Sequence, residues 1–154
     1  MFRSMTLLFV LALVGCSSQS APPLAEAEHD EHAHESGGPH GGAIVELGEH
    51  HAELVHDDAA GTVTVYILDG AATKNVPVDA KEAVINITRE GLGKQFNLSA
   101  SPIEGEPEGR SSRFVSSDAE LAKELDNESA AAVFVVSIDG QQHRGMVEHH
   151  HEHN

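Results

Sequence analysis

His51-Ala52-Glu53-Leu54-Val55-His56-Asp57, Asp58-Ala59-Ala60-Gly61 and Thr62-Val63-Thr64-Val65-Tyr66-Ile67-Leu68 follow one another without a break. The first run alternates side chains about a two-residue period, the middle run is turn material, and the third is rich in β-branched and aromatic residues. That is a strand, a turn and a strand. Period two puts Ala52, Leu54 and His56 on one face of the first strand and His51, Glu53 and Val55 on the other. His51 and Glu53 are thereby candidates for a shared surface site, with His50 and His56 near Leu54 inside.

The same pattern extends in both directions. Upstream, Ala43 to Leu47 is a short strand. Downstream, Asp69-Gly70 opens a loop, Glu82 to Arg89 carries Val84, Ile85 and Ile87, and Glu90-Gly91-Leu92-Gly93 turns the chain into Lys94 to Ala100. Ser101 to Arg110 reads as a loop, and Ser112 to Val115 as a short edge strand. Ser117, with Glu120 three residues on, predicts a capping box for a helix starting at Asp118, with Leu121 and Leu125 on one face. Ala130 to Ile138 is the most apolar strand, and Asp139-Gly140 turns it into Gln142 to Glu148. The expectation is an all-β fold with one short helix: an antiparallel, Ig-like β-sandwich of about seven strands.

The ends of the chain differ from this middle. Arg3 is followed by an apolar run from Leu7 to Val14, far short of the ~20 residues that span a bilayer. This reads as a secretory signal peptide over residues 1–15. Leu13-Val14-Gly15-Cys16 resembles a lipobox. The resemblance implies cleavage before Cys16, a diacylglyceryl thioether on that sulfur, and a bacterial envelope lipoprotein held to a membrane, facing the periplasm or on the outer membrane. Dual acylation anchors where one chain is marginal. Cys16 is the only cysteine, so no intrachain disulfide can form.

Residues 16–38 read as a flexible, lipid-anchored, His-rich tether with almost nothing apolar to bury. Residues 39–148 form the sandwich domain, and 149–154 a His-rich tail. Removing 15 residues of the 154 leaves 139, with eight basic and 25 acidic side chains, a net charge of −17 with His neutral. A chain this acidic repels nucleic acid and attracts cations.

The chain has 12 histidines, and their placement is the strongest functional signal. His29, His32 and His34 lie among Asp30, Glu31 and Glu35, and His149, His150, His151 and His153 crowd the C-terminus. Imidazole suits Zn, Cu, Ni and Co, and tracts of this composition bind metals. A solvated tail without a role has the same composition, but two tracts at opposite ends favour ligation. His143, alone in its strand, reads as structural.

Pro39-His40-Gly41-Gly42, Glu46-Leu47-Gly48, His51-Ala52-Glu53-Leu54-Val55 and Val63 to Asp69 together resemble the His-Gly-Gly β-sandwich module of periplasmic adaptor subunits of heavy-metal efflux pumps. The chain also resembles small His-tailed bacterial lipoproteins. It departs from the adaptors in having no coiled-coil hairpin and no barrel domains, so it cannot bridge a pump to an outer-membrane channel. The resemblance implies His40 and His51 as metal ligands and an envelope or efflux protein as partner.

No phosphate loop, His-Glu-x-x-His helix or Gly-x-Ser-x-Gly elbow is present, so nothing points to an enzyme. The expected function is capture, buffering or delivery of a divalent transition metal. The alternative is an envelope interaction protein that uses a tethered sandwich without metal.

Overall fold

The computed structural model describes residues 37–148. Eight strands and one helix follow in the order β1 (Ala43–Leu47), β2 (His50–Asp57), β3 (Thr62–Leu68), β4 (Glu82–Arg89), β5 (Leu92–Ala100), β6 (Arg113–Ser116), α1 (Ala119–Leu125), β7 (Ala131–Ile138) and β8 (Gln141–Val147). The class is all-β and antiparallel with one short helix. The strands make a single sheet in the order β1-β2-β3-β6-β5-β4-β7-β8, every neighbour antiparallel. The sheet curls until its two ends nearly meet. Among the described residues, no helix is long and apolar enough to cross a membrane.

Period two decides which side chains form the core. In β3, Val63, Val65 and Ile67 are fully buried, and Thr62, Thr64 and Tyr66 between them are half-buried on the outer side. β7 looked uniformly apolar, but Ala132, Phe134, Val136 and Ile138 point inward and Val133 and Val135 do not. To the same core, β2 contributes Ala52 and Leu54, and β1 contributes Val45 and Leu47. Arg89 pairs with Leu92 across the two-residue turn Glu90-Gly91, whose φ angles are 51° and 79°. Asp139-Gly140 repeats this geometry with φ of 49° and 79°. Both are primed turns, whose twist matches that of the strands they join.

Two local expectations are corrected. β6 is not an edge strand: it lies between β3 and β5, with Phe114 opposite both Val65 and Ala100. Phe114 is wholly buried, so an edge position would have stranded a large aromatic side chain in water. The helix begins at Ala119, with Asp118 rather than Ser117 as its N-cap. The Asp118 carboxylate accepts from the Glu120 amide at 2.8 Å. An Asp can cap as well as a Ser and also opposes the positive end of the peptide dipoles, so the Ser117–Glu120 capping box does not form. Leu121 and Leu125 do share the buried face.

The seam between β1 and β8 closes the interior. A Cβ on Gly145 would overlap the carbonyl oxygen of Glu46 and meet Val45 Cγ1 at 2.5 Å. His143, two residues earlier, has Nδ1 3.0 Å from the Leu47 carbonyl oxygen. Moving along β8 from His143 to Gly145 therefore moves back along β1 from Leu47 to Glu46. The two strands run in opposite directions, and the end of β8 approaches the start of β1. Gly145→Ala is expected to cost about 1–3 kcal/mol, the range for overpacking a filled site. A lower urea midpoint at unchanged slope checks this, and an unaltered midpoint would show that the seam is loose.

Candidate functional site

Glu53 holds the entrance segment. Its side chain is fully buried on the outer face of β2, flanked by Ile44 and Tyr66 in register. Residues 37–42 fold across it. Oε1 accepts from the backbone amides of His40 at 2.7 Å and Gly42 at 2.8 Å, and Oε2 lies 2.6 Å from His40 Nδ1. The two amides and the ring nitrogen thus converge on one buried carboxyl group. The His40 ring also stacks on Tyr66, with centroids 3.7 Å apart and planes 6° from parallel. The glycines have a steric reason: a Cβ on Gly42 would overlap the Leu54 carbonyl oxygen, and one on Gly38 would overlap the Glu53 carboxyl carbon. The His-Gly-Gly sequence thus packs the chain entrance onto a buried acid.

His51 shares that outer face but turns to another partner. Its Nδ1 lies 3.2 Å from the carbonyl oxygen of Asp69. The Asp69 carboxylate closes the following loop by accepting from the amides of Thr73 at 2.8 Å and Lys74 at 3.2 Å. The Thr73 amide, with help from Lys74, holds the Asp69 carboxyl below its ordinary range. His40 and His51 therefore each have a defined partner, and no ligand group among the described residues joins them. His29, His32, His34, His149, His150, His151, His153 and Cys16 lie outside the described residues.

The inner face of β2 carries histidine at both ends, His50 and His56, with Ala52 and Leu54 between them. At one end, the rings of His50 and His143 meet edge to face, centroids 5.9 Å apart and planes at 76°. His50 Nδ1 is buried without a hydrogen-bond partner.

At the other end, the residues gather into one group. His56 sits at the end of β2 opposite Val63. Its Nε2 lies 3.2 Å from Asp58 Oδ1, and its Nδ1 lies 3.2 Å from Asp126 Oδ1. The His56 side chain is 18% exposed, against 80% and 57% for the two acids. Nε2 is buried, and the Asp58 oxygen is out of line for a hydrogen bond. One ligand atom from each residue falls within 4.8 Å of the others. Spacing in sequence gave only part of this. Asp58 is two residues from His56 and was read as turn material, while Asp126 is 70 residues away and arrives at the C-terminus of α1.

A second charged cluster braces the same helix. Lys94 Nζ reaches Glu120 Oε1 at 2.8 Å and Glu124 Oε1 at 2.6 Å, and Arg89 lies 3.5 Å from Glu124 Oε2. The Lys94 ammonium holds the Glu124 carboxyl below its ordinary range, and the hydrogen bonds to Glu120 and Glu124 push Lys94 up. No family model matches the chain, and comparison with curated proteins and with solved structures finds no similar protein.

Two outcomes follow from these contacts. Glu53→Ala leaves two amides and a ring nitrogen without an acceptor and is expected to cost about 2–4 kcal/mol. His40→Ala keeps the Glu53 amide bonds and should cost less; equal losses in urea denaturation would contradict this account. The Asp69 and Glu124 carboxyls are lowered on folding, so their contribution is present above the unfolded carboxylate range and is lost as pH falls through their lowered values. The raised Lys94 acts in the opposite sense, and its contribution is lost as pH rises through its raised value. A plateau of thermal stability between those limits, steeper on its acid side than in Asp69→Asn, is the expected profile.

Proposed function

We propose that the protein is a metal-binding lipoprotein of the bacterial envelope, held at Cys16 by lipid, that captures, buffers or delivers a divalent transition metal. It acts by binding rather than catalysis. The observation that carries this reading is the His56–Asp58–Asp126 group: a half-buried imidazole with a carboxylate at each ring nitrogen. Mixed imidazole and carboxylate donors suit Zn²⁺ and its neighbours.

The two acids have different roles. Asp58 faces Nε2 and is placed to share a metal with it. Asp126 faces Nδ1, the position from which a carboxylate fixes the tautomer and orientation of a ligating histidine. The surplus of acids over bases (25 Asp and Glu against 9 Lys and Arg) draws cations toward the site. The N- and C-terminal His tracts add donors at both ends of the chain, and capture beside an efflux system would use them to gather metal.

The test is calorimetric titration of residues 17–154, which retain every described residue, with Zn²⁺, Cu²⁺ and Ni²⁺. Binding at neutral pH should fade as pH falls below the free histidine value of about 6.5, because protons compete for the same nitrogens. Asp126→Asn should weaken the domain's site by about 10–100-fold, the usual cost of losing an orienting carboxylate. Absence of binding tighter than millimolar would sink the reading and leave a metal-free interaction protein as the alternative.

A further inference from the structure

His50 and His143 meet at the other end of β2 from His56. Leu47 and His50 pair across the turn Gly48-Glu49, where Gly48 has a φ of 76°. His143 arrives on β8, from the far side of the seam, and its Nδ1 lies 3.0 Å from the Leu47 carbonyl oxygen. One hairpin thus carries one ring and the carbonyl that aims the other. A carbonyl oxygen only accepts, so this contact places the His143 proton on Nδ1 and leaves the lone pair of the neutral ring on Nε2. A backbone carbonyl on the far nitrogen is a usual way to orient a ligating histidine. His50 Nδ1 is buried and has no hydrogen-bond partner among the described residues. Each ring therefore has a nitrogen to offer to an ion.

The choice of ion follows from what is missing. Among the described residues, the group of three or more potential ligand side chains is that of His56, and no carboxylate joins His50 and His143 in such a group. Zinc sites take three or four protein ligands, and a divalent charge here would have nothing to oppose it. The cost of holding an ion away from water grows with the square of its charge, so a single charge costs about a quarter as much. Two neutral nitrogens in line suit a monovalent d¹⁰ ion, and imidazole suits copper. The spacing agrees. Imidazole nitrogens stand about 2.0–2.1 Å from an ion of this kind, so two in line are about 4 Å apart. Each ring centre lies behind its nitrogen, which puts the centres of a bridged pair on the order of 6 Å apart. The centroids of His50 and His143 are 5.9 Å apart. The 76° between the ring planes is no obstacle, because turning a ring about its metal–nitrogen bond leaves the nitrogen in place.

We propose that His50 and His143 bind one monovalent copper ion, Cu⁺, between Nδ1 of His50 and Nε2 of His143. The site is separate from the His56 group and goes beyond the divalent-metal reading without resting on it. The ion ties β2 to β8 across the seam, so loading fastens the part of the sheet that Gly145 closes.

The probes are Cu⁺, titrated without oxygen against a coloured Cu⁺ chelator, and Ag⁺, an air-stable ion of the same charge and in-line preference. All proteins span residues 17–154 and carry His29→Ala, His32→Ala, His34→Ala, His149→Ala, His150→Ala, His151→Ala and His153→Ala, so that the terminal tracts do not compete. The expected result is one Cu⁺ per chain in this parent. His50→Ala and His143→Ala should each weaken binding roughly tenfold or more, and the pair together should be little worse than either, because both remove the same site. A second measurement needs no change at the site: in the parent, Ag⁺ should shift the ring ¹⁵N signals of His50 Nδ1 and His143 Nε2 and raise the Tm. Failure of the parent to bind Cu⁺, an affinity untouched by either substitution, or Ag⁺ shifts confined to His40, His51 or His56 would each overturn the site. Zn²⁺ titration of the same parent reads the His56 group separately, so failure of one site is distinguishable from failure of the other.

Discussion

Gly145 lets β8 lie so close to β1 that a methyl group in its place would collide with the Glu46 carbonyl. Most of the molecule depends on that approach. The strands follow one another in a single order with β1 and β8 at its ends. Left open, such a sheet would expose Val45, Leu47, Val136 and Val147 to water along one edge, and it would present two unpaired strands to other chains. Drawing the ends together encloses these residues in one core. It also sets His143 against the Leu47 carbonyl and the ring of His50 at one mouth, and brings the end of β8 toward the start of β1 at the other.

The buried acid Glu53 governs a different surface. A fully buried carboxylate is costly unless its lone pairs are filled. Here, two backbone amides and an imidazole fill them. Because two of these donors are backbone groups of residues 40 and 42, the acid fixes the path of the main chain where it enters the domain and does not merely pair with a side chain. The stacked Tyr66 covers one face of the His40 ring. This gives a physical reason for the His-Gly-Gly sequence that involves no metal: small residues pass over a strand while a histidine anchors them. The same pattern was the basis for expecting His40 to be a ligand. Among the described residues, the carboxylate bonded to His40 is that of Glu53, which meets the ring at Nδ1.

The fold was legible in the sequence to the extent that it follows period two. The face assignments of Ala52, Leu54 and His56 and the strand positions around Val63–Ile67 needed only alternation and turn chemistry. Alternation was silent on lateral order, so Phe114 was placed on an edge and proved to be central. The capping error at Ser117 arose because two adjacent residues can both cap, and only the backbone geometry separates them. The candidate site was less legible. Glu53 alternates with His51 and looked like a surface residue, because nothing in β2 itself indicates that residues 37–42 fold over it. His56 was seen as an inward residue, but Asp126 reaches it only because α1, which follows β6 in the chain, packs against β3 beside β2.

The two ends of β2 show why one inner-face histidine is a better metal candidate than the other. His50 meets a second imidazole and a β1 carbonyl neighbourhood, with no carboxylate grouped around it among the described residues. A divalent cation there would be only partly coordinated, and its charge would have no counter-charge in a partly buried place. His56 has two carboxylates at 3.2 Å, one for each ring nitrogen. The two carboxylates would balance a 2+ charge there. Burial of Nε2 without a hydrogen bond is a cost to the metal-free protein, since an unsatisfied buried polar atom loses its hydration without replacement. Coordination would relieve that cost.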